Sequence, residues 1–152
     1  MSARNINHEI IEDLYTEALL LADDARAVFD LKLGADSDGA HDNVRIALSI
    51  EGLRTTTRVM HVLAWLLNQR AYMSGELSET QLRRHNSLPE ERPADPVNLA
   101  ALEPETRALI RESEDLHARV ARLDRDWRAR DAASAPPVQA LQGRLAEAFG
   151  AR

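Results

Sequence analysis

The chain has 152 residues, 44% of them hydrophobic and 29% charged, with six glycines and six prolines. That is the length and balance of one globular domain and excludes fibrous or low-complexity chains. There is no cysteine, which excludes disulfide scaffolds, thiolate zinc sites and thiol nucleophiles and is compatible with a reducing compartment. The net charge is -6, and the bases are 18 arginines and the single Lys32, interspersed with acids. No free positive face of the kind that phosphate backbones require is expected, so nucleic acid is not an expected partner.

The first element is a helix from about His8 to Leu33. Ile11, Leu14, Ala18, Leu21, Ala25 and Val28 recur at three and four, and Tyr15, Ala22 and Phe29 widen the stripe. Glu9, Glu12, Asp13 and Glu17 suit the positive end of its dipole. Gly34 is the expected stop, and residues 35–42 read as a loop rich in Asp, Ser and Gly.

The second helix is expected from about Asn43 to Ser74, with Gly75 ending it. One apolar stripe reads Ile46, Ile50, Leu53, Thr57, Met60, Ala64, Leu67, Ala71. Another reads Leu48, Gly52, Thr55, Val59, Val62, Leu66, Gln69, Met73. The two are offset by about 200° and lie on opposite sides. A helix apolar on two sides either sits centrally or touches two partners. With the first stripe packed inside the bundle, the second is left over. Leu48, Val59, Val62, Leu66 and Met73 are then the expected interface of a homodimer with C2 symmetry.

Ser78 and Gln81 stand at capping-box spacing, which fits a short helix over 79–85. Residues 88–99 carry Pro89, Pro93 and Pro96 and read as an extended exposed loop. A third helix is expected from Glu103 to Arg130, with Pro104 in its first turn. Thr106, Leu109, Ser113, Leu116, Val120, Leu123 and Trp127 form its inner stripe, and charges of alternating sign cover the opposite face. A linker of small residues and two prolines follows. Val138, Leu141, Leu145 and Phe149 then line one side of a segment too short to persist as a free helix. It needs a surface, in this molecule or another. The reading is all-α: an antiparallel three-helix bundle over residues 1–133, with a linker and amphipathic tail over 134–152.

Little here points to chemistry. Glu114-Asp115-Leu116-His117 matches the Glu-x-x-His motif of di-iron bundles, but one copy without further carboxylates on facing helices makes no site. The histidines, at 8, 41, 61, 85 and 117, offer no pair at metal spacing on one helix. Thr55-Thr56-Thr57 has no activating base at a fixed spacing. The expectation is no catalysis, no metal and no cofactor. Arg54, Arg58 and Arg70 on the long apolar helix read as snorkelling, locally paired side chains or, alternatively, as a buried or partner-facing ionic cluster. The longest mid-chain apolar run, Val62 to Leu67, is far short of the roughly 20 residues of a membrane span. Met1 to Asn7 has no apolar signal core, so a soluble cytoplasmic protein is expected.

A resemblance goes further. The second helix carries Glu51-Gly52-Leu53-Arg54, Thr56-Thr57-Arg58-Val59-Met60 and Trp65-Leu66-Leu67-Asn68-Gln69-Arg70-Ala71, closing on Gly75-Glu76. With Leu14-Tyr15-Thr16-Glu17-Ala18 early and Ala148-Phe149-Gly150 late, the chain resembles the RcdA family, the regulators of CtrA degradation of alphaproteobacteria. The resemblance implies a dimeric, non-enzymatic helical bundle that serves as an adaptor of the ClpXP protease in cell-cycle control. Such an adaptor bridges a protease primed by the response-regulator-like protein CpdR to cargo or to further adaptors such as PopA, with the C-terminal tail important for that work. The competing readings are a structural helical dimer that binds nothing else, and a small helical enzyme or metal protein.

Overall fold

The computed structural model describes residues 3–35, 42–134 and 137–150. Six helices follow in order: α1 (Ala3–Ala35), α2 (Asp42–Met73), α3 (Glu79–His85), α4 (Pro96–Ala101), α5 (Pro104–Ser134) and α6 (Pro137–Gly150). The chain is all-α, and the described residues contain no strand. It divides into two compact units, residues 1–120 and 121–152. The division falls inside α5, where the run of buried residues ends at Val120, rather than at the proline-containing linker near residue 134.

Directions within the first unit follow from its pairs. On α1 and α2, Glu12 meets Arg70 and Phe29 meets Gly52, so these helices are antiparallel. On α1 and α5, Glu17 meets Arg119, and Lys32 meets Glu103 just before α5 begins, so these are antiparallel as well. It follows that α2 and α5 run parallel. That topology makes the 74–103 connection travel the length of the bundle, and α3 and α4 lie on this return path.

The core is built from the expected stripe of α1, with Ile11, Ala18, Leu21, Ala25 and Phe29 buried. From α5 come Leu109, Ile110, Leu116 and Val120. Each such side chain contributes about 1.5–3 kcal/mol by leaving water. From α2 the core takes Leu48, Val59, Val62, Trp65 and Leu66. This corrects the sequence reading, in which Leu48, Val59, Val62 and Leu66 formed a free dimer face. Met73, the fifth residue of that set, is half-buried. The physical reason lies at Gly52. A Cβ there would stand 3.0 Å from Phe29 Cδ1, so glycine lets α1 seat this closely without displacing the ring, and it seats on the Gly52 side.

The ends of the elements are set locally. Gly75, at φ 83°, terminates α2, and the Glu76 and Leu77 amides return to the Ala71 carbonyl at 2.9 and 3.2 Å. Ser78 caps α3 with the expected capping box: its hydroxyl accepts from the Gln81 amide, and the Gln81 side chain accepts from the Ser78 amide. The 88–99 stretch differs from its expected form. It ends in α4, because Asp95 accepts from the Val97 amide at 2.8 Å as N-cap and Pro96 sits where its missing N–H costs nothing. Nor is the stretch wholly exposed, since Ala94 is buried. Helix α1 also begins five residues earlier than expected, so Glu9 falls in its second turn.

Candidate interaction surfaces

Three sets of residues had been singled out by the sequence: the arginines of α2, the histidines, and the apolar faces. The arginines divide. Arg70 stays at the surface, with Nε 2.8 Å from Glu12 Oε1 and its guanidinium 4.5 Å over the Tyr15 ring. Arg54 donates from Nη1 to Glu51 Oε1 at 3.0 Å. Arg58 is 1% exposed and donates to Ser113 Oγ at 2.8 Å and to the Arg92 carbonyl at 2.9 Å. So Arg58 alone of the three is a buried group, and it binds neutral oxygens.

Two turns before it, Glu51 is fully buried. Its Oε1 accepts from Arg54, from the Asp95 amide at 3.2 Å and from Asn98 Nδ2 at 2.9 Å. Its Oε2 and the hydroxyls of Thr55 and Thr106 are buried without a partner. Because α2 and α5 run parallel and Arg58 meets Ser113, Glu51 and Thr106 lie two turns down at the same level. Helix α2 thus carries a polar ladder whose work is to fasten the return path. Asn68 donates to Asn86 Oδ1 at 3.0 Å, His61 meets Glu91, Arg58 holds Arg92, and Glu51 holds Asp95. Sequence reasoning marked the arginines but missed Glu51 as the hub. A carboxylate flanking Gly52 on an otherwise apolar stretch of helix was the available signal.

The described histidines form no site. His61 pairs with Glu91, His117 contacts the Pro89 carbonyl at 3.0 Å, His8 and His85 are exposed, and His41 lies outside the described residues. Beside His117, Leu116 is buried while Asp115 is exposed, so Glu114-Asp115-Leu116-His117 does not converge. Among the described residues no three His, Asp or Glu side chains group as a metal site would require. A cleft at one end of the bundle is lined mainly by Ala27, Val28, Leu31, Val44 and Leu48, and its Lys32 is ion-paired to Glu103. Glu105 completes its lining. On α5, Arg119 donates to both oxygens of Glu17. That hydrogen bonding raises its pKa above the ordinary arginine value, against the opposing effect of desolvation.

The apolar faces are what remains. On α2 the exposed side is the stripe assigned to the core: Ile46 is 56% exposed, Ile50 38%, Leu53 69%, Met60 58% and Leu67 47%. It is the more apolar of the two stripes, since the buried one contains Gly52, Thr55 and Gln69. On α6, Val138, Leu141, Leu145 and Phe149 are all exposed, Phe149 at 80%. The four fall on one side of the helix at steps of three and four. No helix among the described residues is long and apolar enough to cross a membrane.

A family model described as a protein of unknown function, DUF1465, matches residues 2–149. The chain belongs to that family. No curated protein and no solved structure matches it. The match spans the bundle and α6 together, so the exposed apolar side of α6 is part of what the family model covers.

Proposed function

We propose that the protein is a non-enzymatic adaptor of ClpXP-dependent proteolysis in the CtrA-type cell-cycle pathway, acting as a homodimer in the cytoplasm. The observation that carries the reading is α6, whose Val138, Leu141, Leu145 and Phe149 present four apolar side chains to solvent on one side. Burying them in a partner's groove yields about 1.5–3 kcal/mol each before ordering costs, which suits a reversible contact. An amphipathic helix of this kind is a standard helix-in-groove ligand. The resemblance of α2 and the chain ends to RcdA supplies the partners: a CpdR-primed protease on one side, and cargo or PopA-like adaptors on the other. The second exposed stripe, on α2, supports the homodimer.

The test is degradation of a CtrA-type cargo by ClpXP with CpdR and PopA, beside a pull-down on ClpX. Leu145→Ala with Phe149→Ala should leave the helical content and oligomeric state unchanged while lowering the delivery rate at least tenfold. Unchanged delivery by the double variant would show that α6 is not the docking element. A wild-type chain that neither binds nor accelerates degradation would remove the adaptor reading altogether.

A further inference from the structure

We infer that the exposed stripe of α2 is the seam of an antiparallel helix pair with α2 of a second copy, its two-fold axis crossing between Thr57 and Met60. The inference rests on the homodimer reading and adds its geometry.

Ile46, Ile50, Leu53, Thr57, Met60, Ala64, Leu67 and Ala71 follow steps of four and three without a break, all exposed except Thr57 and Ala71, which are half-buried. That is a heptad seam, the repeat by which two long helices interlock knobs into holes. It extends over about 38 Å, so its partner must be a helix of comparable length. A second copy offers three long helices. The outer face of α5 is charged, with Arg111, Glu112, Asp115 and Arg122 exposed. The outer face of α1 sets Leu20 and Leu31 among Asp13, Asp23, Asp24 and Asp30. Only α2 repeats an uncharged apolar seam.

Orientation follows from side-chain size. In an antiparallel pair with full overlap, Ile46 faces Ala71, Ile50 faces Leu67, Leu53 faces Ala64 and Thr57 faces Met60. Ala71 and Ala64 then receive Ile46 and Leu53, and Thr57 makes room for Met60. A parallel pair would set Ala64 on Ala64 and Ala71 on Ala71, leaving gaps between layers crowded by Ile46, Ile50 and Leu53. The five large side chains expose on the order of 500 Å² per protomer, the extent that marks an interaction site on a single chain. Two copies bury about 1,000 Å² from these alone, the lower limit for a specific interface.

The cysteine-free chain allows a direct experiment. Spin labels are placed at Ser49→Cys or Thr56→Cys, both exposed positions flanking the seam in the full-length chain. Dipolar EPR then reads the distance between copies, and sedimentation velocity reads the mass. The antiparallel pair sets the two Thr56 positions about five residues apart along the axis and the two Ser49 positions about 19 apart. Expected, then, are a dimer, a separation under about 20 Å at 56, and one of about 30 Å at 49. Leu53→Glu with Leu67→Glu should shift the chain to monomer, with at least 100-fold weaker association, unchanged helical content and a thermal midpoint that no longer depends on protein concentration. A dimer with equally short distances at both positions, or long distances at both, overturns the antiparallel seam and leaves the homodimer standing. A monomeric wild type at tens of micromolar overturns both.

Discussion

Arg58 shows what a buried cation does in this protein. Its guanidinium is enclosed by α2, α5 and the return path, and it donates to a hydroxyl and a main-chain carbonyl rather than to a carboxylate. Planar, forked donors suit that role, because one group must satisfy two acceptors on different elements. Ser113 keeps a second bond, to the Ile110 carbonyl at 2.6 Å, but the Arg92 carbonyl would lose its donor. Arg58→Ala should therefore lower unfolding stability by about 3 kcal/mol in urea titrations, through the lost bonds and the space left behind. Arg58→Lys should recover less than half of that, since one ammonium cannot span both acceptors. A loss under about 0.5 kcal/mol for the alanine variant would mean that water replaces the guanidinium without penalty. The sequence showed an arginine out of place on an apolar helix. It did not show the depth, because that depends on a carbonyl 34 residues away in a stretch read as an exposed loop.

At the scale of elements, the three long helices and the small capped one were legible, because a repeat of three and four and a Ser–Gln capping pair are local signals. The inner stripes of α1 and α5 were legible for the same reason. The two sides of α2 were not. Both repeat correctly, and the side richer in Ile, Leu and Met reads as the natural core. The choice is made by Gly52 against Phe29, a contact between helices that periodicity does not encode. Alanine at 52 gains about 1 kcal/mol of helix propensity but drives its methyl into a buried ring. Gly52→Ala should therefore destabilise the bundle by about 1 kcal/mol net, overpacking outweighing propensity. In the Phe29→Leu background the same change should be neutral or stabilising, a coupling of about 1 kcal/mol or more in a double-mutant cycle. Additive effects would place the choice of face elsewhere. Helix α4 was missed because its proline was read as a breaker, when at the first helical position it is a starter.

At the scale of the whole molecule, the two compact units carry different burdens. The first holds the buried core. In the second, every described side chain of α6 is exposed, so this helix adds little to the chain's stability. Ending the chain after Ser134 should leave the thermal midpoint within about 2 °C of the full-length protein by circular dichroism, since a 1 kcal/mol loss would move it by about 2–8 °C. A larger fall would make α6 part of the folding unit. Stability and the proposed partner delivery are then separable by truncation, as an interaction element added to a finished bundle requires.

The return path between α3 and α4 is gripped at the Pro89 and Arg92 carbonyls and the Asp95 amide, positions three apart that an extended chain turns toward one side. These are atoms that every residue, or every residue but proline, possesses. At these three positions the grip reads position and not identity, whereas Asn86 and Glu91 are held through their side chains. Ser87, Glu90 and the side chain of Arg92 all face solvent. They are free to drift, so descendants of this chain can rewrite the outer lettering of the segment while its course over the bundle stays fixed.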